Sequence, residues 1–210
     1  MIERIVIENF KSLRKVDLKL GRMNLFIGSN ASGKSNFFDA LRVLQGIGNG
    51  FTISEILDGK PRSATSEVWE GVRGGSARAR LASAGSEDDV RLLVCGRFDH
   101  RQAWEYAITF DPAEGKVTSE SLKVGSEVFD STVISPVQRT EPTLRLRYYR
   151  GGQGHPPPLY FERSKPALTQ FTRANGEAKI KPAHADAAAQ VARLLANMQR
   201  IDPSPAVLRG

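Results

Sequence analysis

The chain has 210 residues, of which 40% are hydrophobic, with a mean hydropathy of −0.33. That is enough for one large domain, and no apolar run approaches the ~18 residues that a membrane-spanning helix needs. The opening Met1–Ile7 lacks the basic start and apolar stretch of a secretion signal, and a single cysteine, Cys95, cannot close an internal disulfide. A reducing cytoplasm and no membrane are therefore expected.

In chain order, residues 2–8 and 16–20 read as strands joined through the turn Phe10–Leu13. Val16, Leu18 and Leu20 alternate with Asp17 and Lys19, the pattern of a strand with one buried face. A short apolar strand, Met23–Ile27, then enters Gly28-Ser29-Asn30-Ala31-Ser32-Gly33-Lys34-Ser35. This segment satisfies the phosphate-loop pattern G-x-x-x-x-G-K-[ST] at every specified position. From Asn36 to Leu44 the apolar residues 37, 41 and 44 mark one helical face, and Gly46, Gly48 and Gly50 are expected to stop the helix.

That strand–loop–helix order carries a chemistry. Glycines let the backbone curl around a phosphate chain with its N–H groups pointing inward. The helix begins at the same place with its positive dipole end. Lys34 adds a charge for the β- and γ-phosphates, and the Ser35 hydroxyl is placed to hold Mg²⁺. Gly28 to Ser35, with Asn36 opening the helix, is thus the predicted site for ATP and Mg²⁺.

Residues 46–75 are polar and glycine-rich, with a short helix expected around 53–57. From residue 77 the period changes to two. Segments 77–83, 89–98, 103–110 and 116–124 read as successive strands separated by turns, an antiparallel meander. Cys95 falls inside one of them and reads as a small buried hydrophobe. Between 139 and 181 stand nine Lys or Arg against three Glu, which is most of the chain's +7. Tyr148, Tyr149, Tyr160, Phe161 and Phe171 lie among them, which would suit a nucleic-acid partner. The alternative is a solvated strand face with its aromatics turned inward. Gly151 to Pro158 reads as a loop that cannot be helical. After Pro182, the stripe Val191, Leu194, Leu195 and Met198 marks a second long helix. His100, His155 and His184 share no metal-type spacing.

The opening Ile5-Val6-Ile7-Glu8-Asn9-Phe10-Lys11-Ser12-Leu13, ahead of a loop written Gly-Ser-Asn-Ala-Ser-Gly-Lys-Ser, resembles the ABC-type ATPase heads of the RecF/SMC/OLD-like group. These include the bacterial ATPases often called AAA family ATPases. The likeness is strong over residues 1–45 and architectural beyond. It implies a mixed α/β (α+β) P-loop NTPase fold with an antiparallel β-meander subdomain near the P-loop helix. Residues 1–50, a β-rich part at 77–180 and a helix at 183–200 would together be the N-terminal part of one such domain. The resemblance also implies that Lys11 and Ser12 lie near the adenine and ribose, with Asn30 in a supporting role beside the γ-phosphate.

Such heads hydrolyse ATP with an acidic pair after a buried strand and a Leu-Ser-Gly-Gly-Gln-like signature supplied across a dimer. Neither is found. Ala107–Asp111 has Pro112 where the second carboxylate should stand, and Gly151-Gly152-Gln153 runs into three prolines instead of a helix. The chain is expected to be the nucleotide-grasping lobe, with catalytic parts supplied by further chain or by a partner, as a homodimer or with a different subunit. Gln199 and Gln138 are candidates for a Mg²⁺-sensing glutamine. Two alternatives stand beside an ATPase: a non-hydrolysing nucleotide sensor or assembly module, and a P-loop kinase. The kinase reading is disfavoured because kinases of that type follow the loop with parallel βα units.

Overall fold

The computed structural model describes residues 1–60, 69–85, 88–99, 102–131, 141–149, 158–173 and 180–198. Eight strands form a single sheet: β1 (Ile2–Phe10), β2 (Leu13–Lys19), β3 (Val90–Arg97), β4 (Ala103–Asp111), β5 (Lys116–Val124), β6 (Ser126–Ser131), β7 (Thr143–Tyr148) and β8 (Leu159–Glu162). Their order is β2-β1-β3-β4-β5-β6-β7-β8, and every neighbouring pair is antiparallel. The helices are α1 (Lys34–Asn49), α2 (Ile53–Asp58), α3 (Ala167–Arg173) and α4 (Pro182–Ala196).

Strand alternation and antiparallel register put one set of side chains on one face. Ile7 is level with Leu92, Leu92 with Ile108, Val94 with Tyr106, Tyr106 with Leu122, Leu122 with Phe129 and Phe129 with Tyr148. All of these are buried in one apolar cluster with α1, α2, α3 and α4. The opposite face carries cross-strand ion pairs: Glu8 with Lys15 and Arg91, Arg4 with Asp17, Asp130 with Arg147. Cys95 is half-buried on that face beside Glu105, and burial together with that carboxylate pushes its thiol up to about 11.

Three sequence expectations are corrected. First, Gly46 and Gly48 do not stop α1; the helix runs on to Asn49 and is capped by Gly50. Both glycines are there for contact. A Cβ on Gly48 would lie 2.4 Å from the Ala196 amide nitrogen and 2.5 Å from the Ala192 carbonyl oxygen of α4. Second, 77–83 is not a strand but a 3-10 turn at Ser76–Arg78 followed by a single bridge between Phe10 and Arg80. Both edges of β1 are already taken, by β2 and β3, so this segment can only cross its end. Third, Met23–Ile27 belongs to no strand. A strand exists only with a neighbour, and among the described residues none pairs with it. The β-rich stretch is also continuous with β1 and β2 through the β1–β3 pairing.

Among the described residues, no helix is long and apolar enough to cross a membrane. Of the five aromatics in the basic stretch, Tyr148, Phe161 and Phe171 pack inward, Phe171 lying 5.4 Å from Tyr148 and 6.5 Å from Phe161 between ring centroids. Arg163 is buried too, donating to the carbonyls of Val117 and Glu141. His184 opens α4 against the Tyr148 hydroxyl, and burial lowers its affinity for a proton. His100, His155, Gln138, Gln199 and Gly151–Gln153 lie outside the described residues.

One buried carboxylate on the core face escaped the sequence reading. Glu120 accepts from the Ala167 and Leu168 amides at the start of α3 (2.6 and 2.7 Å) and from the Tyr106 hydroxyl (2.9 Å). Burial outweighs these donors and pushes its carboxyl up to about 7. Its proton is therefore held more tightly in the folded chain than in the unfolded one, whose value is near 4.5. This contribution to stability is complete below pH 4.5 and falls as pH rises through 7. Glu120→Gln should flatten the urea midpoint between pH 5 and 7.5, removing a slope on the order of 1–3 kcal/mol across that window. His184, whose proton affinity is lowered, contributes a slope of opposite sign, so the difference between wild type and variant is what isolates Glu120, and equal pH dependence of the two would refute the assignment.

Candidate functional site

The residues singled out in the sequence come together at the N-terminus of α1. Phe26 anchors the approach, with its ring 4.7 Å from Phe37 and 5.7 Å from Phe38. Beyond it the chain turns through Gly28–Ser32, all of which are exposed. Ala31 takes a positive φ of 64°, and Gly33 a φ of 91° at the helix N-cap. That conformation suits glycine, and a Cβ there would also press on Leu13 Cδ2 at 3.3 Å. The Ser32 amide reaches the Ser29 carbonyl at 3.4 Å, and the Phe37 amide reaches the Gly33 carbonyl at 2.9 Å.

Phe37 makes the first intrahelical bond, so the amides of Lys34, Ser35 and Asn36 are the free donors of the first turn. No side chain caps them, and the first turn contains no acidic residue. This end of the helix therefore keeps its full positive character for an outside anion. Lys34 lies folded into the loop, its ammonium donating to the carbonyls of Gly28 and Ser29 and to Ser32 Oγ. A cation and three amides thus face one exposed turn. Ser35 is exposed at the same place, and Asn30 is exposed on the loop.

The turn between β1 and β2 lies against this end. Asn36 Nδ2 donates to Ser12 Oγ at 2.7 Å, which puts Ser12 beside the loop. Lys11, at a φ of 53°, sends its ammonium to Asp39 Oδ2 and to the Arg73 carbonyl. Lys11 is thus held inside the protein rather than standing as a surface lysine.

Asp39 and Arg73 are the functional candidates that the sequence reading missed. Asp39 sits in the buried stripe of α1 with Phe37, Ala40 and Val43. A carboxylate in such a stripe calls for a cation, and that was a legible signal. Arg73 answers it across 34 residues, donating through Nε (3.1 Å) and a terminal nitrogen (2.9 Å) to Asp39 Oδ2. No local pattern announces that pairing.

Asp111, the acidic residue weighed in the sequence, and Asp130, which ends the short apolar run Val128–Phe129, are both engaged elsewhere. Asp111 binds Arg80 at 2.8 Å and caps its own turn through the Ala113 amide, while Asp130 pairs with Arg147. Among the described residues, no group of three or more His, Cys, Asp or Glu is placed to hold a metal. The donor that fits Mg²⁺ by type is the Ser35 hydroxyl, acting together with the phosphates of a nucleotide.

A family model described as "AAA ATPase domain" matches residues 1–59. The matched stretch contains β1, β2, the loop, α1 and α2, and it supports a nucleotide-binding, ATPase-type function. No curated protein matches the chain. The match suggests a P-loop fold, yet a wholly antiparallel eight-stranded sheet is not typical of a P-loop domain.

Proposed function

We propose that this chain is the nucleotide-holding lobe of an ABC-type ATPase head of the RecF/SMC/OLD-like kind, working in the cytoplasm. It binds ATP-Mg²⁺ at Gly28–Asn36 and supports hydrolysis only when a partner, or a second copy with further elements, completes the site. The observation that carries this reading is the first turn of α1: three uncapped amides, Lys34 and Ser35 converge beside an exposed glycine loop. Ser12 and Lys11 contribute from the β1–β2 turn, Ser12 at the edge of the ligand and Lys11 through Asp39.

Completion by other elements is supported by Met23, Leu25 and Ile27, which are 89%, 77% and 84% exposed. Alternate apolar side chains at such exposure, on a backbone with no strand neighbour among the described residues, are the pattern of a sheet strand lacking its flanks. This also accounts for the untypical sheet, because the segment that enters the phosphate loop stands outside it. The occupation of Asp111 and Asp130 favours a non-hydrolysing nucleotide module as the state of the chain by itself. A kinase is less well supported, since the strands from β3 to β8 run antiparallel with no helix between them among the described residues.

The test is isothermal titration with ATP-Mg²⁺, followed by steady-state phosphate release from the purified 210-residue chain. Binding without turnover is expected. Robust phosphate release that disappears in Lys34→Ala would mean that a catalytic carboxylate lies within these residues, overturning the need for completion.

A further inference from the structure

The cluster behind the first turn of α1 holds two cations for one carboxylate. Lys11 and Arg73 both bind Asp39 Oδ2, and their side chains are 8% and 60% exposed, respectively. The buried partner, Lys11, is sufficient to neutralise the carboxylate, and its second bond goes to the Arg73 carbonyl. The excess positive charge therefore belongs to the guanidinium that faces solvent.

The backbone that presents Arg73 is braced on both sides. The Val72 amide donates to the Leu57 carbonyl (2.9 Å), the Gly75 amide to the Val72 carbonyl (3.0 Å), and the Ser76 amide to Asp58 Oδ1 (2.7 Å). Gly74 and Gly75, at φ of 82° and 59°, close the turn. One terminal nitrogen of Arg73 also reaches Asn36 Oδ1 at 3.3 Å, and Asn36 is the last free-amide position of the helix start. The guanidinium thus stands within about one helical turn of the three uncapped amides, ~5 Å along the axis.

We propose that Arg73 is a further nucleotide-binding residue, which leaves Asp39 for the phosphate chain of the nucleotide held by Lys34 while Lys11 stays to neutralise Asp39. The inference rests on the nucleotide-binding reading above and adds to it one residue outside the glycine loop. Its physical basis is charge. Lys34 supplies one positive charge and the Lys11–Asp39–Arg73 cluster a second, matching the roughly two negative charges that a triphosphate retains once Mg²⁺ is bound. Arg73 can move without leaving a buried carboxylate unpaired, so the exchange avoids the penalty that breaking a buried ion pair carries. A planar fork also suits a phosphate better than an ammonium does.

The experiment titrates the full chain with ATP-Mg²⁺ and with Mg²⁺-tripolyphosphate, and records the thermal midpoint of each variant. Arg73→Gln should weaken both ligands by roughly tenfold, the size of one lost charge-assisted bond. Unchanged affinity, or a lowered midpoint with unchanged affinity, overturns the inference and leaves Arg73 as a brace. So does a loss confined to ATP, because the contact would then be to sugar or base. Should Arg73→Gln not fold, Arg73→Lys decides: a severalfold weakening of both ligands is expected because an ammonium lacks the fork, and no weakening overturns the assignment. Lys34→Ala in the same series separates the two readings. If it alone abolishes binding, the site stands and Arg73 falls; if the wild-type chain binds neither ligand, both fall.

Discussion

Lys34→Ala is expected to abolish measurable ATP-Mg²⁺ binding, with a loss of at least about a hundredfold in affinity, or ~3 kcal/mol. Among the described residues, the ammonium is the only charged group whose contacts all lie within the glycine loop: the Gly28 and Ser29 carbonyls and Ser32 Oγ. Those contacts hold it where a β- or γ-phosphate would sit, and alanine offers no replacement donor. The fold should survive. The loop is exposed, and Lys34 makes none of the contacts that pack α1 against the sheet or α4. The thermal midpoint is therefore expected to stay within the range of an ordinary surface substitution, ~0.5 kcal/mol. Titration calorimetry and a melting curve on the same preparation check both halves. If Lys34→Ala binds ATP-Mg²⁺ as the wild type does, the loop is not a phosphate site and the proposed function goes with it.

Why this region was legible and others were not comes down to how far apart the interacting residues are. The glycine loop is written in eight consecutive positions, and its geometry follows locally from Gly33 at a positive φ and the helix that starts beside it. The last helix was legible for the same reason. Its stripe of Val191, Leu194 and Leu195 needs only a 3.6-residue period, and Val191 and Leu195 are fully buried in it, but the helix ends at Ala196, so Met198 lies beyond it rather than in the stripe. The strands at 90–97, 103–111 and 116–124 follow from alternation and turn residues.

Alternation also misled. Residues 77–83 look strand-like, but a strand depends on a free neighbour, and β1 has none left to offer. Met23–Ile27 failed for the converse reason: the side-chain pattern is present, and among the described residues the neighbour is not. Arg73 and Asp39 were invisible as a pair because they stand 34 positions apart, although a lone carboxylate in the buried stripe of α1 was a sign that a cation had to arrive from somewhere.

Gly46 and Gly48 mark the other limit of local reasoning, since a glycine signals a helix stop only when nothing needs its missing side chain. Gly48→Ala should be among the most destabilising single substitutions in the chain, by ~3 kcal/mol, lowering the thermal midpoint by roughly 6–12 °C. Alanine is a better helix former than glycine by up to ~1 kcal/mol, so propensity alone predicts a gain. The clash must exceed that. A Cβ would stand 2.4 and 2.5 Å from main-chain atoms of Ala196 and Ala192, and α4 would have to back away by roughly 1 Å, opening the α1–α4 contact along its length. Gly46→Ala is the informative control. Its Cβ would meet the Ile56 side chain at 2.6 Å and the Trp69 ring at 3.2 Å, groups that can rotate, so a smaller loss is expected. Equal stability of Gly48→Ala and wild type would show that the two helix backbones do not touch there. The glycine loop lies at the opposite end of α1, 14 residues or ~21 Å from Gly48. Well below its melting temperature the Gly48→Ala chain should therefore still bind ATP-Mg²⁺, because the clamp on α4 and the anion-holding first turn occupy different ends of one helix.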